Sequence, residues 1–476
     1  MTQPSAVVNA DTGPATACLA ELLTALGPKG VRLGDEVELP RCTDWSGHPP
    51  VRPLALLRPA STAEVSAALT ICHRHRIAVV PQGGLTGLAG AAVPVSGGVT
   101  LSLERMKAIE GVDRHAATMT VQAGATLQAV QEAAAEAGLA FGLDLGARGS
   151  CQIGGNLATN AGGNGVIQFG MMREQALGLE AVLADGTVLD MLRPMLKNNT
   201  GYDLKQLFIG SEGTLGVITR AVLRLRPAPL ARATVLLALP DFEAAMALLG
   251  RLQAAFPGAL AAFELMWRDF VELSLEWKTA PPPFAEPHAF LALAEVTGAD
   301  EAALQQALEE LLAPALEEGL VVDAVLPPSR AQAAALWRIR EATAEFPTRM
   351  QPINFDISLP LAVIGEFAQA CVDALTRRWP GHRSVRFGHL GDGNLHLSTD
   401  ARSLGELSFA KAEAAVEELV YGLLATYGGS VSAEHGIGLH KKPFLGLSRS
   451  PAELAAMRQI KQALDPLGLM NPGKIF

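Results

Sequence analysis

A glycine-rich run near residue 85 constrains the fold more than any other feature of this chain. The run Pro81-Gln82-Gly83-Gly84-Leu85-Thr86-Gly87-Leu88-Ala89-Gly90 directly follows the apolar stretch Ile77 to Val80. Upstream, Ser61 is placed to cap an amphipathic helix over Thr62 to His75. The order of helix, strand and glycine-rich loop predicts a cradle in which backbone N–H groups converge on a phosphate without obstruction by Cβ atoms.

A second glycine-rich stretch, Gly154 to Gly163, offers the same close backbone approach with small polar side chains. The chain contains no G-x-G-x-x-G and no G-x-x-x-x-G-K-[ST]. This argues against an ordinary nicotinamide domain and against a P-loop NTPase. Glycine-rich loops alone are weak evidence, because they also serve as plain turns. A dinucleotide such as FAD is the better fit to two such stretches.

Two short histidine-bearing segments, Gly388 to His396 and Ser432 to Gly436, predict a reaction site. Gly391 to Asn394 has the composition of a turn between two short, partly β-branched runs, so the first segment is predicted to be a hairpin. In the expected register Leu390 faces Leu395 and His389 faces His396, which places the two histidines on one face with their Cβ atoms about 5 Å apart.

Such a pair could chelate one divalent ion, and Glu434 would complete a set of two histidines and one carboxylate with a coordination position left open. A lone histidine on a strand is more often an ordinary core or surface residue, but the pairing favours a metal site. If the backbone at Glu434 is extended, His435 turns the other way and is free to act as acid or base.

Long strings elsewhere carry a resemblance to a known family. They are Leu143-Asp144-Leu145-Gly146-Ala147-Arg148-Gly149-Ser150-Cys151, the run from Asn199 to Gly216 (NTGYDLKQLFIGSEGTLG) and the two histidine segments. From about residue 44 to the end, the chain resembles the flavoprotein D-2-hydroxyacid dehydrogenases, which pair a vanillyl-alcohol-oxidase-type FAD domain with a FAD-linked-oxidase cap. Within that family it is most similar to the D-2-hydroxyglutarate dehydrogenases.

The resemblance implies roles for individual residues. His389, His396 and Glu434 correspond to zinc ligands and His435 to the catalytic base, while Arg340, Asn354 and Asn394 correspond to substrate-binding positions. Non-covalent FAD would be held by Pro81, Gly83, Gly84, Thr86, Gly87, Leu88, Ser150, Gly154, Gly155, Asn156, Thr159, Asn160, Gly162, Gly163, Glu212, Gly216, Ile218 and Asn471. One departure bears on the substrate: Asn354 stands where the family usually has a lysine.

The composition is that expected of an enzyme that acts on small-molecule substrates. The net charge of −10 and the absence of a basic run argue against nucleic acid. Five cysteines without C-x-x-C spacing suit a reducing compartment and argue against an iron–sulfur cluster. No apolar run reaches the length of a membrane span and no signal peptide is apparent, so the cytoplasm is the expected location.

The expected fold class is α+β. We predict an N-terminal lead (residues 1–45), a vanillyl-alcohol-oxidase-type FAD-binding domain (46–227), a cap (228–430) and a C-terminal segment (431–476) that packs back on the FAD domain. In the cap, helices over Phe242 to Phe256 and Ala302 to Glu318 alternate with apolar strands. The strands are predicted at Thr234 to Leu239, Phe290 to Val296 and Leu320 to Leu326. Helices covering one antiparallel sheet are the expected arrangement.

The expected reaction is oxidation of a D-2-hydroxy acid, D-2-hydroxyglutarate first, with a divalent metal, favoured as zinc, holding the substrate and FAD receiving the hydride. D-lactate or glycolate remain alternatives. Two other classes of function also remain: a non-catalytic flavin-binding subunit of an oxidase complex, and a metal-dependent hydrolase. Electrons would leave to a separate acceptor, an electron-transfer flavoprotein or a quinone-linked partner. Association as a homodimer is left open.

Overall fold

The computed structural model describes residues 13–476, so the first twelve residues of the predicted N-terminal lead lie outside the described residues. The strands are β1 (Val31–Leu33), β2 (Ala55–Leu57), β3 (Val79–Gln82), β4 (Val99–Ser102), β5 (Ile109–Asp113), β6 (Thr118–Gln122), β7 (Leu139–Ala140), β8 (Ala176–Val182), β9 (Val188–Met191), β10 (Val217–Arg224), β11 (Arg226–Pro227), β12 (Ala231–Leu239), β13 (Leu260–Trp267), β14 (Phe290–Gly298), β15 (Asp323–Val325), β16 (Pro352–Ser358), β17 (Ser384–His389) and β18 (Asn394–Asp400).

The α-helices are interspersed among these strands. They are α1 (Pro14–Leu26), α2 (Thr62–His75), α3 (Leu127–Glu136), α4 (Ile153–Ala158), α5 (Val166–Phe169), α6 (Met172–Gln175), α7 (Lys205–Phe208), α8 (Phe242–Ala255), α9 (Arg268–Glu276), α10 (Glu301–Glu317), α11 (Arg330–Arg340), α12 (Phe346–Arg349), α13 (Ile364–Arg378), α14 (Phe409–Tyr427), α15 (Leu445–Ser448) and α16 (Pro451–Leu464).

Local sequence signals set several of these boundaries. The predicted helix α2 is confirmed, and the Ser61 side chain accepts a hydrogen bond from the Glu64 N–H, as an N-cap residue does. Helix α8 begins in the same way after Asp241, which accepts from the Ala244 N–H. Both helices bury their apolar stripe against a sheet, which is the main source of helix stability in a folded protein.

The N-terminal half contains two larger sheets that meet in one hydrophobic core, and a small antiparallel sheet of β7 and β11. In the first, β2, β4 and β3 run parallel in that order, and β1 is an antiparallel edge strand beside β2. The second is antiparallel, in the order β5-β6-β10-β8-β9. The glycine-rich run begins at the end of β3, so the first sheet positions it as the sequence predicts.

The cap is one seven-stranded antiparallel sheet in the order β15-β12-β14-β13-β17-β18-β16. Strand alternation gives it two faces. One face carries Phe263, Leu265, Phe355 and other apolar residues into a large core under α8, α10, α13 and α14. The opposite face has a smaller core around Met266, Phe270 and Phe387. Polar residues continue that second face along β13, β17, β18 and β16, and these residues form the site.

Residues near the C-terminus pair with the first sheet at Val79. The Val79 N–H donates to the Leu469 carbonyl at 2.9 Å, and the Asn471 N–H donates to the Val79 carbonyl at 2.8 Å. Val79 thereby pairs in parallel with Met470, which is fully buried in the core of the N-terminal half. The α+β fold class is confirmed, whereas the domain boundaries given above stay predictions. Within residues 13–476, no helix combines the length and the apolar character needed to cross a membrane.

Candidate active site

The histidine hairpin forms, but in a different register from the expected one. Strands β17 and β18 pair Phe387 with His396, not His389 with His396. The connection is longer than a simple turn because Leu390–Asp392 is a 3₁₀ turn that ends at Gly393, which has a left-handed φ of +82°. The pairing is therefore displaced by two residues. Since side chains alternate with a period of two, the two histidines still share one face as diagonal neighbours.

The three proposed metal ligands converge. The ligand atoms of His389, His396 and Glu434 all lie within 4.8 Å of one another. The two histidine rings are edge to face with centroids 5.5 Å apart. Burial holds the pKa of His396 well below its ordinary value, so this ring is neutral and has a lone pair to offer. Two imidazoles and a carboxylate are a donor set that fits a divalent metal of the borderline kind.

A buried glutamate on the neighbouring strand was not expected. Glu264 lies on β13 directly opposite His389 and contacts it at 2.5 Å, from Oε1 to Nδ1. Its Oε2 accepts from Nε of Arg340 at 2.8 Å. Burial acts to lower the pKa of His389, but the carboxylates of Glu264 and Glu434 outweigh it and raise that pKa to about 9. Burial likewise acts to raise the pKa of Glu264, yet His389 and Arg340 hold it below its ordinary value.

Asp356 anchors the second segment. Its side chain is fully buried on β16, opposite His396, and its Oδ2 accepts from the backbone N–H groups of Glu434 at 3.0 Å and His435 at 2.8 Å. The Lys441 ammonium adds a contact of 3.2 Å to the same oxygen. Burial acts to raise the pKa of Asp356, but His435, Lys441 and His396 hold it well below the ordinary range, so Asp356 is ionised.

The expectation of extended backbone at Glu434 is wrong. Residues 433–435 form bends, because two successive N–H groups are turned toward one carboxylate. As a result His435 is not on the far side of the segment from Glu434. Its ring lies 6.2 Å from that of His396 and nearly parallel to it. Burial lowers the pKa of His435, so the ring is neutral near pH 7 and can accept a proton.

The predicted substrate residues lie on the same face of the cap sheet. Asn394 donates through Nδ2 to Oδ1 of Asp356 at 3.0 Å, and its own Oδ1 is buried with no partner among the described residues. Asn354 is exposed, two residues along β16 from Asp356, and its Oδ1 accepts from the Ser398 hydroxyl at 2.6 Å. Arg340 is 8% exposed, and its guanidinium lies 4.7 Å from the ring centroid of Phe387.

The two glycine-rich stretches pack against each other, and the second also packs against Glu434, one of the proposed metal ligands. A Cβ added to Gly84 would overlap the Ser150 carbonyl oxygen, and one added to Gly83 would lie 3.5 Å from Cα of Gly155. At the other end, a Cβ on Gly162 would lie 2.6 Å from Oε1 of Glu434. At Gly84 only a residue without a side chain allows this approach, and at Gly162 a side chain would displace the Glu434 carboxylate. A backbone cradle with little side-chain obstruction therefore reaches the proposed metal ligands.

The first loop is open on one side. Near Gly87 an added Cβ would meet only the Asp44 carboxylate, at 3.8 Å, and the Leu88 side chain is 43% exposed. Thr86 is half-buried, and Pro81 packs against Gly213. Space for a ligand beside backbone N–H groups is what a dinucleotide cradle needs.

Helix α4 and its C-terminal turn present the remaining polar residues of the second stretch. Asn156 is buried and donates to Sγ of Cys151 at 3.7 Å, while the Thr159 hydroxyl donates to the Gly155 carbonyl at 3.0 Å. Asn160 has a φ of +51° and accepts from the Arg173 N–H. The neighbouring glycines pack closely: Gly154 against Ala123, Gly163 against Asp144 and Gly216 against Val182, with Ile218 buried in β10.

Glu212 and Asn471 join the two parts of the site. The two carboxylate oxygens of Glu212 accept from the backbone N–H groups of Ile437 and Gly438 at 2.7 and 2.8 Å. Asn471 donates from Nδ2 to the Glu212 carbonyl at 2.7 Å and to the Ala91 carbonyl at 3.0 Å. The segment that carries Glu434 and His435 is thus fastened to the cap through Asp356 and to the glycine loops through Glu212.

Comparison with known proteins agrees with this geometry. Residues 53–192 match the family described as FAD binding domain, and residues 228–475 match the C-terminal domain of FAD linked oxidases. A D-2-hydroxyglutarate dehydrogenase of Xanthomonas citri pv. viticola is 42% identical over 442 residues, which cover 91% of each chain. The chain belongs to the FAD-linked D-2-hydroxyacid dehydrogenase family. It is an FAD-dependent dehydrogenase that acts on a hydroxy acid.

Other members of the family are similar over most of the chain. The mitochondrial D-2-hydroxyglutarate dehydrogenase of Bos taurus is 40% identical over 445 residues, covering 93% of this chain and 80% of its own. A Schizosaccharomyces pombe protein provisionally named a mitochondrial D-lactate dehydrogenase is 36% identical over 441 residues, covering 90% and 83%.

Two solved structures show the fold alone. A substrate-bound p-cresol methylhydroxylase has a TM-score of 0.78 at 15% identity and covers 100% of this chain and 98% of its own. An alkyldihydroxyacetonephosphate synthase has a TM-score of 0.71 at 18% identity and covers 99% and 86%.

Proposed function

We propose that this dehydrogenase oxidises D-2-hydroxyglutarate to 2-oxoglutarate with a divalent metal, zinc by preference, held by His389, His396 and Glu434. The observation that carries the proposal is the convergence of these three ligand atoms beside His435 and against the glycine cradle at Gly162. When bound, FAD supplies a hydride acceptor and the metal polarises the substrate hydroxyl. A plain flavin-binding subunit would not need this set, and a hydrolase would leave the cradle without a ligand.

His435 is proposed as the general base. Its Nδ1 lies 3.8 Å from Asp356, beyond hydrogen-bonding distance, and its side chain is 23% exposed. The lowered pKa keeps the ring neutral, which a proton acceptor requires at neutral pH. Asp356 keeps the imidazole in place through the His435 backbone N–H and stabilises the imidazolium that forms on proton transfer.

Charge in the site favours an anionic substrate. Arg340 is paired with Glu264, and Lys441 is paired with Asp356, so each buried pair is neutral. Among the three proposed ligands only Glu434 carries a negative charge, so a divalent ion held by them keeps one net positive charge. We propose that one substrate carboxylate takes up this charge, and that Arg340, which has N–H groups beyond the one on Glu264, holds a carboxylate as well.

The residue at position 354 bears on whether the substrate has a second, distal carboxylate. Asn354 occupies the position of the family lysine and is exposed, so it can donate a hydrogen bond from Nδ2 but contributes no charge. The relatives named for D-2-hydroxyglutarate at 42% and 40% identity support the dicarboxylate. The relative named for D-lactate and the neutral Asn354 support D-lactate as the second candidate.

A dye-reduction panel decides between these substrates. The panel contains D- and L-2-hydroxyglutarate, malate, lactate and glycolate, and D-2-hydroxyglutarate is expected to give the highest kcat/KM. A kcat/KM for D-lactate that is roughly tenfold or more above that for D-2-hydroxyglutarate, about 1.4 kcal/mol in transition-state free energy, would overturn the substrate assignment. Activity on L-enantiomers alone would overturn the proposed stereochemistry.

The FAD is proposed to be non-covalent. The loop from Pro81 to Gly90 contains no histidine or cysteine, and the nearby Cys151 is 3% exposed with its Sγ contacted by Asn156. Acid precipitation is expected to release the yellow colour into the supernatant, and absorbance spectra of the two fractions measure it. Colour that stays with the precipitated protein would contradict the prediction.

We further propose a separate electron acceptor, an electron-transfer flavoprotein or a quinone-linked partner, and a cytoplasmic location. All five cysteines lie within the described residues, and all are free and buried, which supports a reducing compartment and electron exit through another protein. Some eukaryotic relatives are named as mitochondrial. The homodimer stays a prediction.

A further inference from the structure

Glu264 is an ionised side chain in a strand that is otherwise apolar. Every residue of β13 is buried, and Glu264 stands between Phe263 and Leu265 with 1% of its surface exposed. A carboxylate in such a place is costly unless both oxygens are well satisfied. The side chain is turned to the polar face of the cap sheet, opposite His389.

Each oxygen of Glu264 has one partner, and both partners belong to the proposed site. Oε1 lies 2.5 Å from Nδ1 of His389, and Oε2 lies 2.8 Å from Nε of Arg340. Because Nδ1 is held by a carboxylate, Nε2 is the nitrogen of His389 left for a metal. Carboxylates that hold the outer nitrogen of a metal-binding histidine fix its ring orientation and raise its basicity.

The same carboxylate also fixes the guanidinium. Nη2 of Arg340 lies 3.5 Å from Nε2 of His389, so the arginine and the metal-facing nitrogen are neighbours. The guanidinium is held between Glu264 on one side and the face of Phe387 on the other. A fixed guanidinium binds a carboxylate with less loss of side-chain entropy than a mobile one.

We propose that Glu264 is a positioning residue that orients His389 for the metal and Arg340 for the substrate carboxylate, so that one buried side chain sets both affinities. This inference rests on the proposed function. The simpler alternative is that Glu264 only neutralises the charge of Arg340. That role needs only a negative charge near the arginine, so it predicts that Glu264→Asp, which keeps the charge, binds zinc as tightly as wild type.

Glu264→Gln tests the proposal. Glutamine has the same size, but it offers one acceptor oxygen and one donor group, whereas both partners of Glu264 are donors. On metal-depleted protein titrated with zinc against a chromophoric chelator, we expect zinc affinity to fall about 10- to 100-fold. In zinc-saturated protein, flavin reduction by D-2-hydroxyglutarate should show KM raised about tenfold or more, with a smaller change in kcat.

Glu295→Gln is the matched control. Glu295 lies on the adjacent strand β14 and pairs with Arg232 at 2.6 Å, away from the histidines, so its loss removes a carboxylate from the same sheet. This variant should keep wild-type zinc affinity and KM. The visible flavin spectrum and the Tm of each variant report whether the fold is intact.

The outcomes separate the inference from the proposed function. A folded Glu264→Gln protein with zinc affinity and KM within about twofold of wild type overturns the inference alone. If that variant does not fold, Glu264→Asp, which keeps the charge but is too short for both partners, is expected to show the same two losses. Failure of both variants to fold would make Glu264 structural and overturn the inference. A wild-type protein without zinc affinity removes the proposed function and the inference together.

Discussion

Replacing His435 by alanine is expected to lower kcat by about 10²- to 10⁴-fold, the usual contribution of a positioned base, while the protein stays yellow. The substitution removes the imidazole but keeps the backbone N–H that donates to Asp356, so the neighbouring Glu434 stays in place. The ring is 23% exposed and is not part of the hydrophobic core, so stability should change little. Dye reduction at saturating substrate and the flavin absorbance of the purified protein measure the two effects.

His382→Ala provides the control for this experiment. His382 is a partly buried histidine of the same cap, bonded to Thr376 and Ser384, and it has no contact with the proposed ligands. Its substitution should leave kcat unchanged. A His435→Ala protein with kcat within about fivefold of wild type would show that another group accepts the proton.

The helix and strand pattern of the chain could be predicted because it depends on local signals. Ser61 and the apolar periodicity after it define α2, and the apolar run before Pro81 defines β3. The glycine-rich loop follows from its composition, since close backbone contacts such as that of Gly84 with Ser150 exclude any side chain.

The register of the histidine hairpin could not be predicted from its turn composition. Whether Gly391 to Asn394 closes directly or continues a 3₁₀ turn from Leu390 depends on what packs around the turn, including Ile167 against Gly391. The predicted register was wrong by two residues, and a shift of two residues leaves every side chain on the same face of the sheet. The two histidines, His389 and His396, therefore share one face as predicted, although they are not directly opposite each other.

Glu264 and Asp356 were not identified as site residues from the sequence. Glu264 is the single acid of the apolar strand Leu260–Trp267, and Asp356 lies between the apolar residues Phe355 and Ile357. An acid in such a place is the signal that could have found them, because an unpaired buried carboxylate is costly. Their partners are far away in the chain. His389 is 125 residues from Glu264, and His435 is 79 residues from Asp356, so only strand order and register bring them together.

His396→Ala is expected to remove the bound metal and to lower activity by more than about 100-fold, with FAD retained. Loss of a group that merely supports a metal ligand costs about 10- to 100-fold, so loss of a ligand should cost at least as much. His396 is the cleaner choice because, among the described residues, no hydrogen bond joins its ring to Glu264 or Arg340, whereas both of them contact His389. Metal analysis of the purified protein and dye reduction measure the outcome.

A second cluster of a histidine with carboxylates, outside the proposed metal site, provides the control for adventitious metal binding. His440 lies 3.1 Å from Glu417 and 3.8 Å from Glu413, outside the proposed ligand set. His440→Ala should therefore keep the wild-type metal content, whereas His396→Ala loses it. Neither His396 nor His440 is among the residues proposed to hold FAD, so the flavin spectrum should persist in both proteins. Full activity in a chelator-treated, metal-free preparation would refute a role for the metal, whatever the content of the variants.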